Sequence, residues 1–504
     1  MSFAPFAAIW VLLVAAAIIA LFAERSKLVV ALSIVPVLVA IPLWYLFRPD
    51  AVAPSLSLAG RQWAIGDAAW QLTGVVLLLC LTAAIWAALS PDHPRPGFRA
   101  AVALGLAAAV LPAVWAADDR TRLLGLALFA AAWALSQLAA RGSGSDTPPF
   151  DWRSGVLILA TLFPVWAAYT VPGGRASLSV IAVVLLIAAG ASATTAPGAG
   201  SAVSRGLPTV AAASVLLAAL GAGSPSTLGV VAATAAGLLV LLWGLARAWD
   251  RPHVLTPALA LSLGGVILVA AVWAGTDALL AATRLAVFAP ALAGLASAGL
   301  SPAARADSIS APGDNSRRRL SPRLLAWLVA FLAVAGLPLT VGFSALAPVY
   351  ESWSGATGWV LLLVMVILLA LWLATLYQAG RSSMREGTSE GADWLRGLAL
   401  IPPAIGLIAF NFAGLTGSWI TWTVIVLTAV AGVLLGHFAP DVGAVGDLLR
   451  EAVALPQPAV PVATRLRAAG RLAAGALADA LAILEGDNGL IWLLGLLLLI
   501  IWIT

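Results

Sequence analysis

The chain has 504 residues, of which 62% are hydrophobic and only 10% charged, and its mean hydropathy is +1.03. A soluble domain carries about 25% charged residues, so this composition excludes a water-soluble globular protein of this size. The excess of 27 basic over 22 acidic residues need not signal nucleic acid, because the positions of those charges follow membrane orientation; the single cysteine, Cys80, lies in an apolar run and excludes a disulfide framework within the chain.

The apolar residues fall in blocks of 16 to 25, separated by short joints containing Arg, Asp, Gly or Pro. A hydrocarbon core of ~30 Å takes ~20 apolar residues per helical crossing, so each block predicts one span. The runs are too long and too uniformly apolar for the period-2 strands of a membrane barrel. In chain order the first eight spans are predicted at 5–23, 28–47, 69–89, 98–116, 121–140, 154–171, 177–195 and 208–222. The other eight are predicted at 226–248, 254–274, 280–300, 322–348, 357–378, 396–414, 418–438 and 488–503. The expectation is an all-α integral membrane protein with about 16 transmembrane helices. The first span follows no basic n-region and leads straight into the second, so it reads as a mature helix and not as a cleaved leader.

Basic residues set the orientation. With the outermost two residues of each span counted as joint, joints after odd-numbered spans hold 21 Arg or Lys, joints after even-numbered spans hold five, and Arg284 alone falls inside a span. The positive-inside rule then places the odd joints in the cytoplasm and both chain ends outside. Two segments read as lying outside the bilayer core. Residues 301–321, rich in Ser, Ala, Asp and Arg, predict a cytoplasmic loop. Residues 441–487 carry Arg465, Arg467 and Arg471 beside Leu466, Leu472, Leu477, Leu481 and Leu484, which predicts an amphipathic helix along the membrane surface. That helix serves either as a tether to the last span or as a strut against neighbouring helices or another subunit.

Transporters built from inverted repeats carry interrupted helices at corresponding places in their two halves. Two interruptions stand out: Gly190-Ala-Ser192-Ala-Thr-Thr-Ala-Pro197-Gly-Ala-Gly200, ending the seventh span, and Ala335-Gly336-Leu-Pro338-Leu-Thr-Val-Gly342-Phe343, inside the twelfth. Five spans separate them, as two five-helix repeats require.

The second interruption resembles the broken-helix signature of the antiporter-like subunits of respiratory complex I and of Mrp-type cation/proton antiporters, a Gly-x-Pro followed by Gly-Phe. Leu207-Pro208-Thr209 with Ala213-Ser214-Val215-Leu216-Leu217 is similar to the segment opening that family's eighth span. Trp249-Asp250-Arg251 stands where the family usually reads Thr-Asp-x-Lys-Arg, and Ile65-Gly66-Asp67 resembles its Leu-Asp-Gly. The resemblance implies broken-helix positions at Ser192, Pro197, Gly336, Pro338, Gly342 and Phe343. It also implies a division into N-terminal helices (1–116), a first five-helix repeat (117–222), the start of a second (223–300), the loop (301–321) and the rest of the second repeat with its broken helix (322–378). C-terminal helices (396–438), the surface helix (441–487) and the last span (488–504) follow. Other membrane subunits of a hetero-oligomeric complex are the implied partners, in the inner membrane of a bacterium; neither nucleic acid nor a cofactor is expected.

The resemblance also implies a proton relay, a glutamate in the fifth span with lysines in the seventh, eighth and (as Lys or Glu) twelfth. Those positions fall on Ser192, on Gly221 or Ala222, on Leu346, and near Leu128 to Ala131. Lys27, in the first cytoplasmic joint, is the chain's single lysine, so no shift of alignment restores the relay. A buried lysine can exchange protons near neutrality, whereas arginine stays charged.

Asp277 and Arg284, seven residues apart and so on one helix face, are the remaining ion-path candidates, with a structural ion pair as the competing reading. His93, His253 and His437 lie at joints without ligand spacing, so no metal site is expected. Asp118-Asp119-Arg120 reads as a solvated helix start. Several of the 21 Trp residues, among them Trp10, Trp44, Trp353 and Trp359, lie near span ends as interface anchors. No catalytic site is visible, which allows a non-catalytic subunit of an NADH-quinone-oxidoreductase-type complex. Three functional readings stay open: an antiporter-like subunit that has lost its relay, an independent secondary transporter using Asp277, Arg284 and the broken helices, and a membrane-embedded lipid-linked transferase.

Overall fold

A computed structural model of the chain describes residues 3–22, 31–49, 54–58, 60–89, 96–141, 152–171, 175–192, 199–221, 223, 226–250, 255–297, 322–355, 358–385, 397–408 and 417–438. The loop at 301–321, the surface helix at 441–487, the last span and Pro197 lie outside the described residues. Residues 1–440 make one compact unit.

The apolar blocks become helices. They run in the order α1 (Ala4–Phe22), α2 (Ile34–Leu46), α3 (Asp67–Leu89), α4 (Pro96–Val114), α5 (Asp119–Arg141), α6 (Trp152–Thr170), α7 (Arg175–Ser192) and α8 (Ala199–Gly221). There follow α9 (Thr227–Asp250), α10 (Leu255–Trp273), α11 (Gly275–Ser297), α12 (Pro322–Val334), α13 (Val341–Trp353), α14 (Trp359–Arg385), α15 (Ile401–Leu407) and α16 (Trp419–Phe438). Nine helices among the described residues are long and apolar enough to cross a membrane, and five shorter apolar helices accompany them. The protein is a multi-pass helical membrane protein.

Helices α10 and α11 are apolar on every side and buried almost throughout, the signature of a helix enclosed by others. Helix α11 is the hub, packing against α8, α10, α12, α13 and α15. The peripheral helices turn apolar side chains outward, as with Phe22 (82% exposed) on α1 and Trp419 (76%) on α16. Such surface is unfavourable in water and neutral in lipid.

Several indoles do more than anchor at an interface, because an N–H buried in an apolar bundle is stabilised by an acceptor, although Trp327 and Trp353 keep theirs buried without one. Trp44 and Trp70 stack at 4.4 Å and donate to each other's backbone carbonyls at 2.8 and 2.9 Å, tying α2 to α3. Trp10 donates to the Ala108 carbonyl (3.0 Å), and Trp372 to Ser262 Oγ (2.9 Å), which passes its own proton to the Leu241 carbonyl (2.8 Å). Trp353, expected near a span end, is fully buried, with its ring 5.8 Å from that of Trp273.

A two-stranded antiparallel hairpin, β1 (Ser55–Leu58) and β2 (Arg61–Ala64), precedes α3, with Leu58 opposite Arg61. The Ala64 N–H donates to the Trp115 carbonyl (2.8 Å) and the Ala117 N–H to that of Gln62 (3.0 Å). The Gln62 N–H also donates to Asp118 Oδ2 (3.2 Å) and Thr121 Oγ1 (3.0 Å), which seats the hairpin on the start of α5.

Candidate functional site

Two chain interruptions meet beside α11. The first separates α12 from α13. Helix α12 stops because Gly336 takes φ +72°, a left-handed conformation open to glycine. Its N–H donates to the Ala333 carbonyl (3.1 Å) and the Leu337 N–H to that of Leu332 (3.0 Å), the paired bonds of a Schellman cap. Pro338, two residues on, cannot resume the helix. Leu339 sits at φ +70° with a bulky side chain, a strained conformation that needs surrounding structure to hold it. The chain re-enters helix at Val341. Gly342 lies so close to the Ala333 carbonyl that a Cβ there would overlap it, so the two half-helices pack backbone to backbone.

The second interruption follows α15. Ile408 leaves the helix in extended conformation (φ −79°, ψ 131°) and forms an isolated antiparallel bridge with Thr340. Two broken segments from distant parts of the chain thus pair with each other inside the bundle. The end of α15 exposes backbone carbonyls, and Arg284 of α11 meets them. Its Nε donates to the Gly406 carbonyl (3.2 Å) and its Nη2 to that of Ile408 (3.0 Å). Arg284 stands nine residues after the start of α11 at Gly275, about 14 Å along the helix at 1.5 Å per residue, so it lies near the middle of the helix's length and is half-buried. Carbonyls at a helix C-terminus carry partial negative charge, so the arginine supplies both the missing donors and a counter-charge.

Asp277 takes another place. It is exposed in the first turn of α11, and among the described residues it forms no ion pair with Arg284. Phe343 is buried with its ring 5.5 Å from that of Trp422 on α16. Glu351, at the end of α13, accepts from the Ser418 N–H (3.0 Å) and from Thr421 Oγ1 (3.3 Å), capping the start of α16. Ser192 is the last residue of α7, and its Oγ donates to the Ala189 carbonyl (3.0 Å). Leu346, on α13, is fully buried among apolar neighbours.

The described helices also hold arginines that the sequence reading left in joints. Helix α8 starts at Ala199, nine residues before the predicted span at 208, and so carries Arg205, which is 6% exposed. Gly190 of α7 makes this early start possible, because the Arg205 backbone carbonyl packs where a Cβ would stand (2.7 Å). Arg122 on α5 is likewise buried, with Nη1 3.5 Å from Asp119 Oδ1 and Nη2 donating to the Ala116 carbonyl (2.7 Å). At the head of α5, burial pulls the Asp118 carboxyl upward, but bonds from the Thr121 hydroxyl and N–H and from the Gln62 and Arg120 N–H groups outweigh it and hold it below its usual range. Among the described residues no cluster of three or more His, Cys, Asp or Glu could hold a metal.

No protein-family model matches this sequence, and no curated protein is similar to it by sequence. Solved structures share its fold. A chain of the Mrp complex from Dietzia sp. DQ12-45-1b superposes with TM-score 0.67 at 13% identity, over 97% of this chain and 61% of that one. A chain of respiratory complex I from Thermus thermophilus with bound aureothin gives 0.56 at 15% identity, over 85% and 98%. A chain of the membrane-bound sulfane sulfur reductase, an archaeal respiratory membrane complex, gives 0.59 at 14%, over 98% and 99%. This chain therefore spans about three-fifths of the length of the Mrp chain and almost the whole of the other two. The fold is shared with membrane chains of these three complexes.

Proposed function

We propose that this chain is an antiporter-like membrane subunit of a complex I-type or Mrp-type proton- or cation-translocating assembly, and that it serves there as a structural or coupling element. The assembly resides in the inner membrane of a bacterium, with other membrane subunits as neighbours. On this reading the two helix breaks stand at corresponding places in two five-helix repeats.

The observation that carries the reading is what occupies the centre of the fold. Where the family resemblance calls for titratable lysines, this chain has Ser192 and Leu346, and its one lysine, Lys27, lies in the first joint. At the Ile408 break, which pairs with Thr340, the charged side chain is Arg284, already engaged by the Gly406 and Ile408 carbonyls. A guanidinium stays protonated through the physiological range, so it can hold broken backbone together but cannot pass a proton on. Asp277, the other ion-path candidate, stands at the exposed start of α11, which weighs against a substrate path through the pair. The fold then keeps the packing surfaces of a translocating subunit without its chemistry.

The test is reconstitution of the purified full chain in liposomes. Neither an imposed sodium gradient nor a membrane potential should drive proton movement beyond that of empty liposomes. Robust exchange by the chain alone would overturn the proposal in favour of an independent transporter.

A further inference from the structure

A second group of charges lies apart from the helix breaks, on the bundle face where α5 and α7 begin and α6 and α8 end. Asp119 is shared by two arginines: Arg175 Nη2 stands 2.8 Å from Asp119 Oδ1, and Arg122 Nη1 stands 3.5 Å from the same oxygen. The second nitrogen contacts run to backbone, from Arg122 Nη2 to the Ala116 carbonyl (2.7 Å) and from Arg175 Nη2 to that of Ala218 (3.5 Å). The Arg175 guanidinium also lies over the Tyr169 ring at 5.4 Å. Asp118, the neighbouring acid, is taken up by Thr121 and Gln62.

This network is incomplete in one sense only. Arg122 Nε, Arg175 Nε and the Tyr169 hydroxyl are buried without a hydrogen-bond partner, and all three are donors. Arg122 comes close to the Tyr169 hydroxyl but not in hydrogen-bonding geometry. An unmet buried donor costs free energy, more so on a charged group, so three together call for an acceptor. Two arginines against one aspartate leave one positive charge. The Arg122 side chain is 10% exposed and that of Arg175 is 35%, so one wall is closed and the other reachable. Arg122 and Arg175 also belong to the five basic residues on the side that the positive-inside reading calls outer, where a fixed positive charge runs against the general bias. Ends of helices that span a hydrocarbon core of ~30 Å fall toward the headgroups, and these charges stand at such ends.

The geometry points to a binding site for a singly charged phosphate group, held by Arg122 Nε, Arg175 Nε and the Tyr169 hydroxyl. A phosphodiester oxygen accepts from all three and neutralises the residual charge, which a water molecule cannot do. The phosphate comes either from a phospholipid headgroup or from free phosphate, and both present the same oxygens.

The full chain, purified in detergent and stripped of lipid, is titrated separately with phosphatidylglycerol, with diacylglycerol and with inorganic phosphate. Native mass spectrometry counts adducts, and a melting curve records stabilisation. Wild type should hold one phosphatidylglycerol at about tenfold lower concentration than Tyr169→Phe or Arg175→Gln, each of which removes one charge-assisted bond. Diacylglycerol should not compete. Tyr169→Phe keeps the ring under Arg175 and removes only the hydroxyl, so it separates lost binding from lost folding. Stabilisation of wild type but not Tyr169→Phe by inorganic phosphate, without a lipid adduct, supports the same site filled by the free ion. Equal phosphatidylglycerol retention in wild type and both variants, with no effect of inorganic phosphate, would overturn the site and leave water as the acceptor.

Discussion

The two arginine sites solve opposite problems. At Arg284 the backbone is short of donors: α15 ends inside the bundle, and the guanidinium satisfies the carbonyls of Gly406 and Ile408. At Arg122 and Arg175 the protein has donors to spare, with three of them unmet beside a shared carboxylate. The first site is closed on itself and belongs to the architecture. The second remains open to a ligand. Position along the helices separates the two: Arg284 stands near the middle of α11, where irregular backbone in a membrane must be satisfied from within the protein, whereas Arg122 and Arg175 stand at helix starts.

The largest effect should follow Arg284→Ala. It leaves the buried Gly406 carbonyl without its donor, at roughly 1–3 kcal/mol, and removes a second bond at the exposed Ile408, so the yield of folded protein should fall accordingly. Next comes Gly342→Ala, which forces a methyl into the Ala333 carbonyl where α12 and α13 cross. Overpacking of this kind costs roughly 1–3 kcal/mol, read as a lower melting temperature in detergent. At the open site, Asp119→Asn removes the anion between two guanidinium groups. With the Arg175 side chain 35% exposed, solvent screens part of the loss, which should be roughly 1–2 kcal/mol. An Arg284→Ala loss smaller than that of Asp119→Asn would reverse the comparison.

Smaller effects sharpen it. Because the Asp118 carboxyl is held below its usual range when folded, it contributes stability above its unfolded pKa of about 3.9, and that contribution disappears as pH falls through the lower folded value. Asp118→Asn should therefore destabilise the protein at neutral pH, and the difference from wild type should close in strong acid. Asp277→Asn should change the melting temperature least, within about 0.5 kcal/mol, since its side chain is exposed at the start of α11. A large effect of Asp277→Asn would restore it as a partner of Arg284.

Much of this architecture is legible in the sequence, and the reasons differ by element. Uniformly apolar blocks of membrane length leave little alternative to helices, and the first fifteen predicted spans each overlap a described helix or helix pair. The break at Gly336 is also written locally, as a glycine at the cap with Pro338 behind it. Its partner segment is not, since nothing near Thr340 in the chain announces a bridge to Ile408. Arg284 stands out as a charge within an apolar run, but its acceptors lie more than a hundred residues away, and Asp277 was simply the closest opposite charge on the helix. Arg205 lies ahead of the apolar block that predicts a span at 208–222, whereas the helix begins at Ala199 and carries Pro208 inside. The hairpin at 55–64 had a signal in Ser55-Leu56-Ser57-Leu58 followed by Gly60-Arg61, hidden by the expectation of helices alone. The Arg122–Asp119–Arg175 group joins residues from different helix ends, so only folding reveals it.

The most direct test of the central claim, that Arg284 holds broken backbone and carries no protons, is translocation per assembled subunit. Membranes carrying the wild-type chain or Arg284→Ala within its native assembly are assayed for proton or sodium movement, normalised to the amount of the chain incorporated. Incorporation should fall while movement per incorporated copy stays at the wild-type rate. Normal incorporation with translocation abolished would contradict the account and make Arg284 a working part of the ion path.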